Sequence, residues 1–501
     1  MFRSSVFGVA LALCVAAAWT ALAQGEAAPG PQADAAPTPL PWALPQSNSC
    51  QPEGGLRGWP PGQDAPPIPF QPGDHFAVNQ IEVLKEFIPP FVWEYRDRFF
   101  YEGMRLEISR CFADYSPPDF FLSATETFAG QAKLTEEGGI VEYTAGLPFA
   151  PDRITADDPQ AGLAWAWNFE LRYQGAGFWG KFRTVDMVGR DGRAEPFLGE
   201  IFKAQTAFRA DRADDGYQAP GAKGKHWVAG GLLFEPFDAR HYAWRQYRDV
   251  EHMTSAERSD DLHAYLPGFR RVRRVSSAGV EGLYMPSFSV GVQQPTALAG
   301  AGEGIGGGAA GVGLAATSIT TKRSGFEGLE MRPLLYEIRV LGVQDVLTPI
   351  SADRPGYPTQ TEREFGPWGL SFASDRWDLR RAIVLEGRAK EERGGEQVDR
   401  FIQYIDVQTL APLYYASWDA REEQIDVGMH VGRWSEERET YPRWPDDPER
   451  PIRVIDPVGA VFANISEDGG WRRESWEIVS TPPDDRSLER MLSVSNLTKR
   501  R

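Results

Sequence analysis

Apolar residues near the start of the predicted folded region recur three or four positions apart. This spacing predicts helix, because such positions share one face of a helix. Pro89 and Pro90 interrupt the pattern, so we expect two helices or one broken helix here. The positions that carry the pattern are Ile81, Leu84, Phe87 and Ile88, followed by Phe91, Val92, Tyr95 and Phe99.

A second pattern has a period of two. Trp165, Trp167, Phe169, Leu171 and Tyr173 alternate with Ala166, Asn168, Glu170 and Arg172. Alternation of this kind predicts a strand with one aromatic face. That face either packs in an ordinary core or lines a cavity for an apolar ligand. The candidate cavity residues are Trp165, Trp167, Phe169 and Tyr173.

The C-terminal part of the chain predicts a meander of strands. Short turns between alternating segments are typical of antiparallel neighbours. The expected strands contain Ile383 and Leu385, then residues 398–406, 413–418 and 425–431, with a turn at residues 392–395 and a further hairpin around residues 461–478. The patterns together predict a mainly antiparallel β protein with helices, of the α+β class.

Residues 265–275 combine strand-like alternation with four arginines, Arg270, Arg271, Arg273 and Arg274. In a strand, Arg271 and Arg273 would share one face, and Arg270 and Arg274 the other. Arginine is rarely buried without a partner. The segment is therefore either a solvated edge strand, where charge prevents edge-to-edge pairing, or a site that binds an acidic headgroup or a docking partner.

The 501-residue chain has a formal net charge of −17, which argues against nucleic acid as its main partner. Its first residues have the features of a secretory signal, with Arg3, an apolar run at residues 6–18 and the small-x-small site Ala21-Leu-Ala23. We expect export and cleavage after Ala23, with lipidation at Cys14 as the alternative. No other apolar run reaches the roughly 18 residues of a membrane-spanning helix.

Composition divides the chain into segments. We expect a signal peptide at residues 1–23, a Pro/Ala-rich flexible arm at 24–72, a β domain at 73–436 and a C-terminal extension at 437–501 that holds the extra hairpin. Within the β domain, residues 299–316 are almost entirely Gly and Ala. Such a run predicts a mobile surface loop, and a loop that dips into a bilayer or covers a pocket is the alternative.

Two cysteines, Cys50 and Cys111, remain after the expected cleavage. In an oxidising compartment two thiols most simply form one disulfide, which would tie the N-terminal arm to the β domain. Two unpaired buried thiols are the alternative.

The sequence contains no recognisable catalytic motif. None of its six histidines has a zinc-ligand spacing, and neither a Gly-x-Ser-x-Gly turn nor a phosphate-binding loop occurs. His226 and His263 stand out because they neighbour Trp227 and the arginine segment, but a structural role explains both. We therefore predict no enzymatic activity, no cofactor and no metal.

Several short motifs, taken in order, resemble a bacterial periplasmic family known as domain of unknown function 1329. They are Ala145-Gly-Leu-Pro-Phe149, Trp167-Asn168, Arg172-Tyr-Gln-Gly175, Pro267-Gly-Phe-Arg-Arg-Val-Arg-Arg274, Arg376-Trp-Asp-Leu-Arg380 and Val384-Leu-Glu-Gly387, with final strands at residues 401–406 and 414–419. The resemblance covers about residues 76–434. The chain departs from the family at Ala150, where a second proline is usual, at the Gly/Ala-rich segment and the residues after it up to Pro349, and beyond Glu436.

The resemblance implies a fold like that of the Lol-type lipoprotein carriers, LolA and LolB. Such a fold is a large unclosed β-barrel with a helical lid or plug over an apolar cavity, and residues 76–108 would supply the lid. Members of the family are typically encoded near exporters of the resistance-nodulation-division (RND) type and outer-membrane proteins, so the resemblance also implies these two kinds of protein as partners. The main hypothesis is a periplasmic carrier or accessory protein for a lipid or acyl chain. A structural adaptor with a filled cavity and a hydrolase of a hydrophobic substrate are the alternatives.

Overall fold

The computed structural model describes residues 44–498, with gaps at 46–49, 53–54, 59–65, 156, 188–194, 276, 278–281, 286–328, 354–372, 392–397 and 466–469. The predicted signal peptide, the Gly/Ala-rich loop at 299–316, the turn at 392–395 and much of the predicted arm lie outside the described residues.

Strands dominate the described residues. They are β1 (His75–Phe76), β2 (Leu106–Cys111), β3 (Lys133–Leu134), β4 (Ile140–Val141), β5 (Gly177–Met187), β6 (Glu195–Gln205), β7 (Lys225–Glu235), β8 (Ala243–Asp249), β9 (Asp261–Leu266), β10 (Arg271–Val275), β11 (Tyr336–Thr348), β12 (Arg376–Ala389), β13 (Arg400–Asp406), β14 (Pro412–Trp418), β15 (Gln424–Trp434), β16 (Arg443–Trp444), β17 (Asp447–Pro451), β18 (Ile455–Asn464) and β19 (Gly470–Val479). The α-helices are α1 (Pro90–Glu94), α2 (Arg96–Phe99), α3 (Asp119–Phe128), α4 (Ala161–Glu170) and α5 (Asp485–Leu492).

One 15-stranded sheet organises the described part of the molecule. Its order is β1-β2-β12-β13-β14-β15-β18-β19-β5-β6-β7-β8-β9-β10, and β11 pairs with the remaining edge of β12. All neighbours are antiparallel except β2 and β12, which are parallel. Among the described strands β10 and β11 each have one partner, so the sheet is open. The predicted fold class, mainly antiparallel β with helices, is confirmed at this level.

The C-terminal strands occupy the middle of the sheet. The predicted meander is present as β12 to β15, and the predicted hairpin is present as β18 and β19. The hairpin lies between β15 and β5, so it joins the C-terminal strands to β5–β10. Strands β18 and β19 are therefore an integral part of the sheet.

The aromatic segment that begins at Trp165 is a helix, and the prediction of a strand is wrong. Nine of the ten residues of α4 are buried, including Ala164 and Ala166, which alternate with the two tryptophans. A helix that is apolar all round shows no 3.6-residue stripe, so the Trp-Ala alternation resembled a strand. Gly162 lets α4 approach β11 closely, because a Cβ at this position would lie 2.2 Å from the Ile338 carbonyl oxygen.

Both faces of the sheet are covered by other segments. On β12, Leu379 and Val384 belong to one core, whereas Ile383 and Leu385 belong to the other. The first core includes a 3-10 helix (Val78–Phe87), α1 and α2, and the second includes α4. This arrangement explains why the central strands are buried on both sides.

The N-terminal helical segment is shorter than predicted. The expected break occurs at Pro89, and Pro90 begins α1, where its fixed φ angle is suitable. The predicted lid over residues 76–108 is wrong at its end, because β2 begins at Leu106. Leu106 and Ile108 are fully buried and alternate with more exposed residues, as expected for a strand.

The predicted disulfide between Cys50 and Cys111 is present. It connects the N-terminal segment to β2 across a sequence separation of 61 residues. The Arg57 backbone N–H adds a second attachment by donating to Asp345 Oδ2 at 2.8 Å. No helix of the described residues is both long enough and apolar enough to span a membrane.

Candidate functional site

A cavity of about 300 Å³ lies at one end of the sheet. Its walls come from α3, from the turn between β13 and β14, and from β15 and the start of β18. Most of the lining is apolar; examples are Phe121, Phe178, Leu410, Val431 and Ile455. Apolar cavities of roughly 300–1,000 Å³ are typical of small-molecule sites.

Leu122 indicates where this cavity approaches solvent. It lies on α3, lines the cavity and is 39% exposed. Gln408 and Thr409, in the turn between β13 and β14, also line the cavity and are half-buried. The more exposed part of the lining thus includes one apolar side chain and two polar turn residues.

Polar groups without protein partners are found in the cavity wall. His430 is 4% exposed, and neither of its ring nitrogens has a hydrogen-bond partner among the described residues. The buried Tyr173 hydroxyl and Glu330 Oε2 are also without such partners. Burial, together with the Arg172 charge, lowers the pKa of His430 to about 3. His430 is therefore neutral at physiological pH and presents one donor and one acceptor.

Arg172 is the buried cation of the cavity wall. Its Nη1 donates to the Phe169 carbonyl at 2.7 Å and its Nη2 donates to the Leu329 carbonyl. Its guanidinium carbon lies 4.2 Å from the centroid of the Phe169 ring. No carboxylate among the described residues forms an ion pair with it at contact distance, and burial lowers its pKa.

A second polar cluster is buried beside α4, outside the cavity lining. Arg248 donates to Glu170 Oε1 at 2.9 Å and makes two hydrogen bonds of 3.0 Å to Asp260. His226 and His252 stack with ring centroids 5.0 Å apart. Burial lowers the pKa of His226 well below its usual range and that of His252 to about 3, so both rings are neutral.

Glu170, His226 and His252 place potential metal ligands within 4.8 Å of one another. Both carboxylate oxygens of Glu170 are occupied, because Oε1 accepts from Arg248 and Oε2 accepts from the Met331 backbone N–H at 2.9 Å. The adjacent Arg248 guanidinium would repel a metal cation. This arrangement fits a structural ion-pair network better than a metal site.

Three of the four predicted cavity residues lie outside the cavity lining. Trp165, Trp167 and Phe169 are fully buried on α4. Trp167 Nε1 donates to the Gly138 carbonyl at 2.9 Å, which fixes the indole ring in the core. Tyr173 follows α4 and does line the cavity. The structure therefore brings Tyr173 alone of these residues to the site.

The arginine segment forms the edge strand β10. Arg271, Arg273 and Arg274 are exposed, and Arg274 pairs with Asp261. Arg270 precedes the strand in a left-handed conformation with φ 50°, so it does not share a strand face with Arg274 as predicted.

The arginines and the cavity lie at opposite ends of the sheet. Phe178 of the cavity is at the start of β5, whereas Asp186, near the end of β5, pairs with Glu195. At the same end as Asp186, Leu198 of β6 pairs with Glu235 at the end of β7. Ala243 at the start of β8 pairs with Tyr265 near the end of β9, so the turn before β10 also lies at this end. None of the four arginines lines the cavity.

The sequence interpretation missed His430, Arg172 and Glu330. A signal existed for His430, which is a polar residue within an otherwise apolar segment that had to be buried. Arg172 stands close to the polar residues Glu170 and Gln174, so nothing in the sequence indicated its burial. Glu330 had no comparable signal. Its role depends on segments that meet only in the folded chain.

Comparison with known proteins gives a family match. Residues 97–286 match the family described as "Protein of unknown function (DUF1329)". A comparison with curated proteins gives no match.

Three solved structures resemble the chain at low identity. A DUF1329 family protein from Desulfovibrio piger is 13% identical, with 68% of this chain and 99% of that chain covered and a TM-score of 0.40. A domain named as an outer membrane lipoprotein-sorting protein, from Vibrio parahaemolyticus, is 11% identical, with 68% and 100% covered and a TM-score of 0.38. A LolA superfamily protein from Nitrosomonas europaea is 10% identical, with 66% and 96% covered and a TM-score of 0.30. The resemblance predicted from the short motifs is confirmed by the family match at residues 97–286.

Proposed function

We propose that this protein is a periplasmic carrier or accessory protein that binds a hydrophobic ligand, such as a lipid or a single acyl chain. The observation that carries the proposal is the apolar cavity of about 300 Å³. Apolar walls with a few placed polar groups are the usual composition of a ligand pocket. The open sheet would act as the half-barrel wall, and the exposed Leu122 would be part of the entrance.

The setting of this carrier is proposed from the family resemblance. Export to the periplasm, an RND-type exporter and an outer-membrane protein as partners follow from that resemblance and from the signal-like first residues. A role in transfer between envelope components would use the cavity to shield the apolar part of the ligand from water.

Native mass spectrometry of the gently purified chain tests the proposal. We expect a mass increment that organic extraction removes, and we expect the extracted protein to bind an environment-sensitive apolar dye. A protein that carries no ligand and does not bind the dye would favour a structural adaptor. Hydrolysis of an added ester, abolished by one substitution in the cavity, would instead favour a hydrolase.

A further inference from the structure

The polar groups of the cavity indicate which headgroup its ligand carries. This inference rests on the proposed function, since it assumes that the cavity takes a ligand. Arg172, His430 and Tyr173 contribute a guanidinium, a neutral imidazole and a hydroxyl to a wall that is otherwise mostly apolar. Each can donate a hydrogen bond.

Glu330 and Arg172, two charged groups of the cavity wall, differ in their direct contacts. Glu330 forms an ion pair with Lys203, and Lys203 also donates to Gln174 at 3.0 Å. The charge of Glu330 is thus compensated by direct contact. Arg172, in contrast, contacts two carbonyl oxygens and an aromatic ring but no carboxylate among the described residues. Glu330 and Glu170 favour the charged form of Arg172 without contacting it. Its guanidinium can therefore still pair with an anion at contact distance.

We infer that the cavity binds an amphipathic carboxylate, with the carboxylate beside Arg172, His430 and Tyr173 and the hydrocarbon chain along the apolar wall towards Leu122. A carboxylate has two acceptor oxygens and suits several donors at once. An alcohol or a hydrocarbon of the same length would make no ionic contact with Arg172.

Binding of dodecanoate and dodecan-1-ol to the delipidated full chain tests this inference. We expect dodecanoate to bind tighter by roughly tenfold or more, as one charge-assisted hydrogen bond would give. His430→Phe and Tyr173→Phe should each reduce this ratio. Tyr404→Phe is the matched control, because it removes a buried hydroxyl that bonds Gln344 outside the cavity lining.

Each outcome of this experiment is decisive. Equal affinity for the two compounds in the wild-type protein would overturn the headgroup assignment and leave the carrier proposal intact. Failure to bind both compounds and the apolar dye would overturn the carrier proposal as well. If His430→Phe does not fold, Tyr173→Phe decides the question, because it removes a single oxygen atom.

A second feature, independent of the cavity, lies at the opposite end of the sheet. The β7–β8 turn exposes Phe237 (86%) and the β9–β10 turn exposes Phe269 (50%). Ala243, where β8 begins, pairs with Tyr265 near the end of β9, so both turns lie at the same end of the sheet. Residues 235–242 and 266–275 contain five arginines and two acidic residues. Arg274 pairs with Asp261, and the other four arginines still give a local positive excess in a chain of net charge −17.

We propose that these two turns dock on an anionic lipid surface. Exposed phenylalanine inserts into the boundary between headgroups and acyl chains, and neighbouring arginines pair with lipid phosphates. Arg240, Arg270 and Arg271 are exposed at or beside the turns. This assignment also gives the arginine segment a binding role apart from the cavity.

Co-sedimentation of the full chain with vesicles tests the membrane proposal. We expect binding to vesicles that contain phosphatidylglycerol, weaker binding to phosphatidylcholine vesicles, and a decrease with added salt. Phe237→Ser with Phe269→Ser, and separately Arg270→Gln with Arg271→Gln, should each weaken binding several-fold. Val83→Ser, which removes another exposed apolar side chain (48%), should not. Lack of vesicle binding, or equal binding by all variants, would overturn the proposal.

Discussion

Lys203 and Glu330 form an ion pair whose side chains are 6% and 3% exposed, and Glu330 belongs to the cavity wall. Lys203 Nζ also lies 5.4 Å from the centroid of the Trp227 ring. The Glu330 carboxylate therefore has a cation in direct contact. Arg172, in the same cavity wall, differs in this respect, because its direct contacts are uncharged.

Removing Lys203 should destabilise the protein strongly. Lys203→Met leaves the Glu330 carboxylate buried without its cation, and we expect a loss of about 3–5 kcal/mol in the free energy of unfolding. The double variant Lys203→Met, Glu330→Gln should recover most of this loss, because neither position of the pair then carries a charge. Urea unfolding of both variants measures the difference. A double variant as unstable as the single one would contradict this account.

His430 should make stability depend on pH. Its folded-state pKa is about 3, below the ordinary value of 6.5, because of burial and of Arg172. The unfolded chain therefore binds a proton below about pH 6.5 that the folded chain excludes until about pH 3. This contribution to stability is complete above about pH 6.5 and is lost, at about 1.4 kcal/mol per pH unit, as the pH falls.

Comparing wild type with His430→Phe isolates this effect. Other groups titrate in the same range; burial raises the pKa of Asp456 to about 6, which adds stability as the pH falls from about 6 towards 4. Such contributions are common to both proteins. Between about pH 7 and pH 5 the variant should lose about 2 kcal/mol less than wild type. Identical pH dependence in urea unfolding would show that His430 titrates normally.

Reducing the Cys50–Cys111 disulfide should lower stability without abolishing the sheet. The bond closes a loop across a sequence separation of 61 residues, and loops of this size contribute about 4 kcal/mol on chain-entropy grounds. Thermal unfolding of wild type with and without reductant measures the effect. Cys50→Ser with Cys111→Ser should match the reduced protein and should not respond to reductant. An unchanged unfolding temperature would indicate that the segment is held by other contacts, such as that of Arg57 with Asp345.

Changing Trp167 should lower the stability of the protein and leave its ligand affinity unchanged. Trp167→Phe removes the hydrogen bond to Gly138 and part of a core side chain, so we expect a loss of about 2–4 kcal/mol in stability. Ligand affinity should stay unchanged, since Trp167 does not line the cavity. Unfolding and dye titration on the same preparation check both points. A loss of affinity in Trp167→Phe would mean that the ligand reaches α4.

The sequence predicted the strands better than the site. The alternating patterns of strands β13 to β15 are still visible in the sequence although both faces of these strands are buried. The short connections between them predict antiparallel pairing. The helix α4 was predicted as a strand because all its sides are buried, which removes the amphipathic signal.

The site could be predicted only in part. Tyr173 was predicted to line the cavity, but the cavity draws on residues from Tyr115 to Ser480, and no local pattern reports such distant neighbours. The arginine segment was recognised from charge. Its position at the other end of the sheet depends on strand register through β6 to β9.

Filling the cavity is the most direct measurement of the central claim. Ala411 lines the cavity, whereas Ala256 is exposed and does not line it. We expect Ala411→Phe to lower the affinity for the apolar dye and for dodecanoate by at least about tenfold, because the added ring occupies ligand volume. Ala256→Phe should bind both compounds as wild type does. Equal affinities for wild type, Ala411→Phe and Ala256→Phe, with all three folded, would contradict the claim that this cavity holds the ligand.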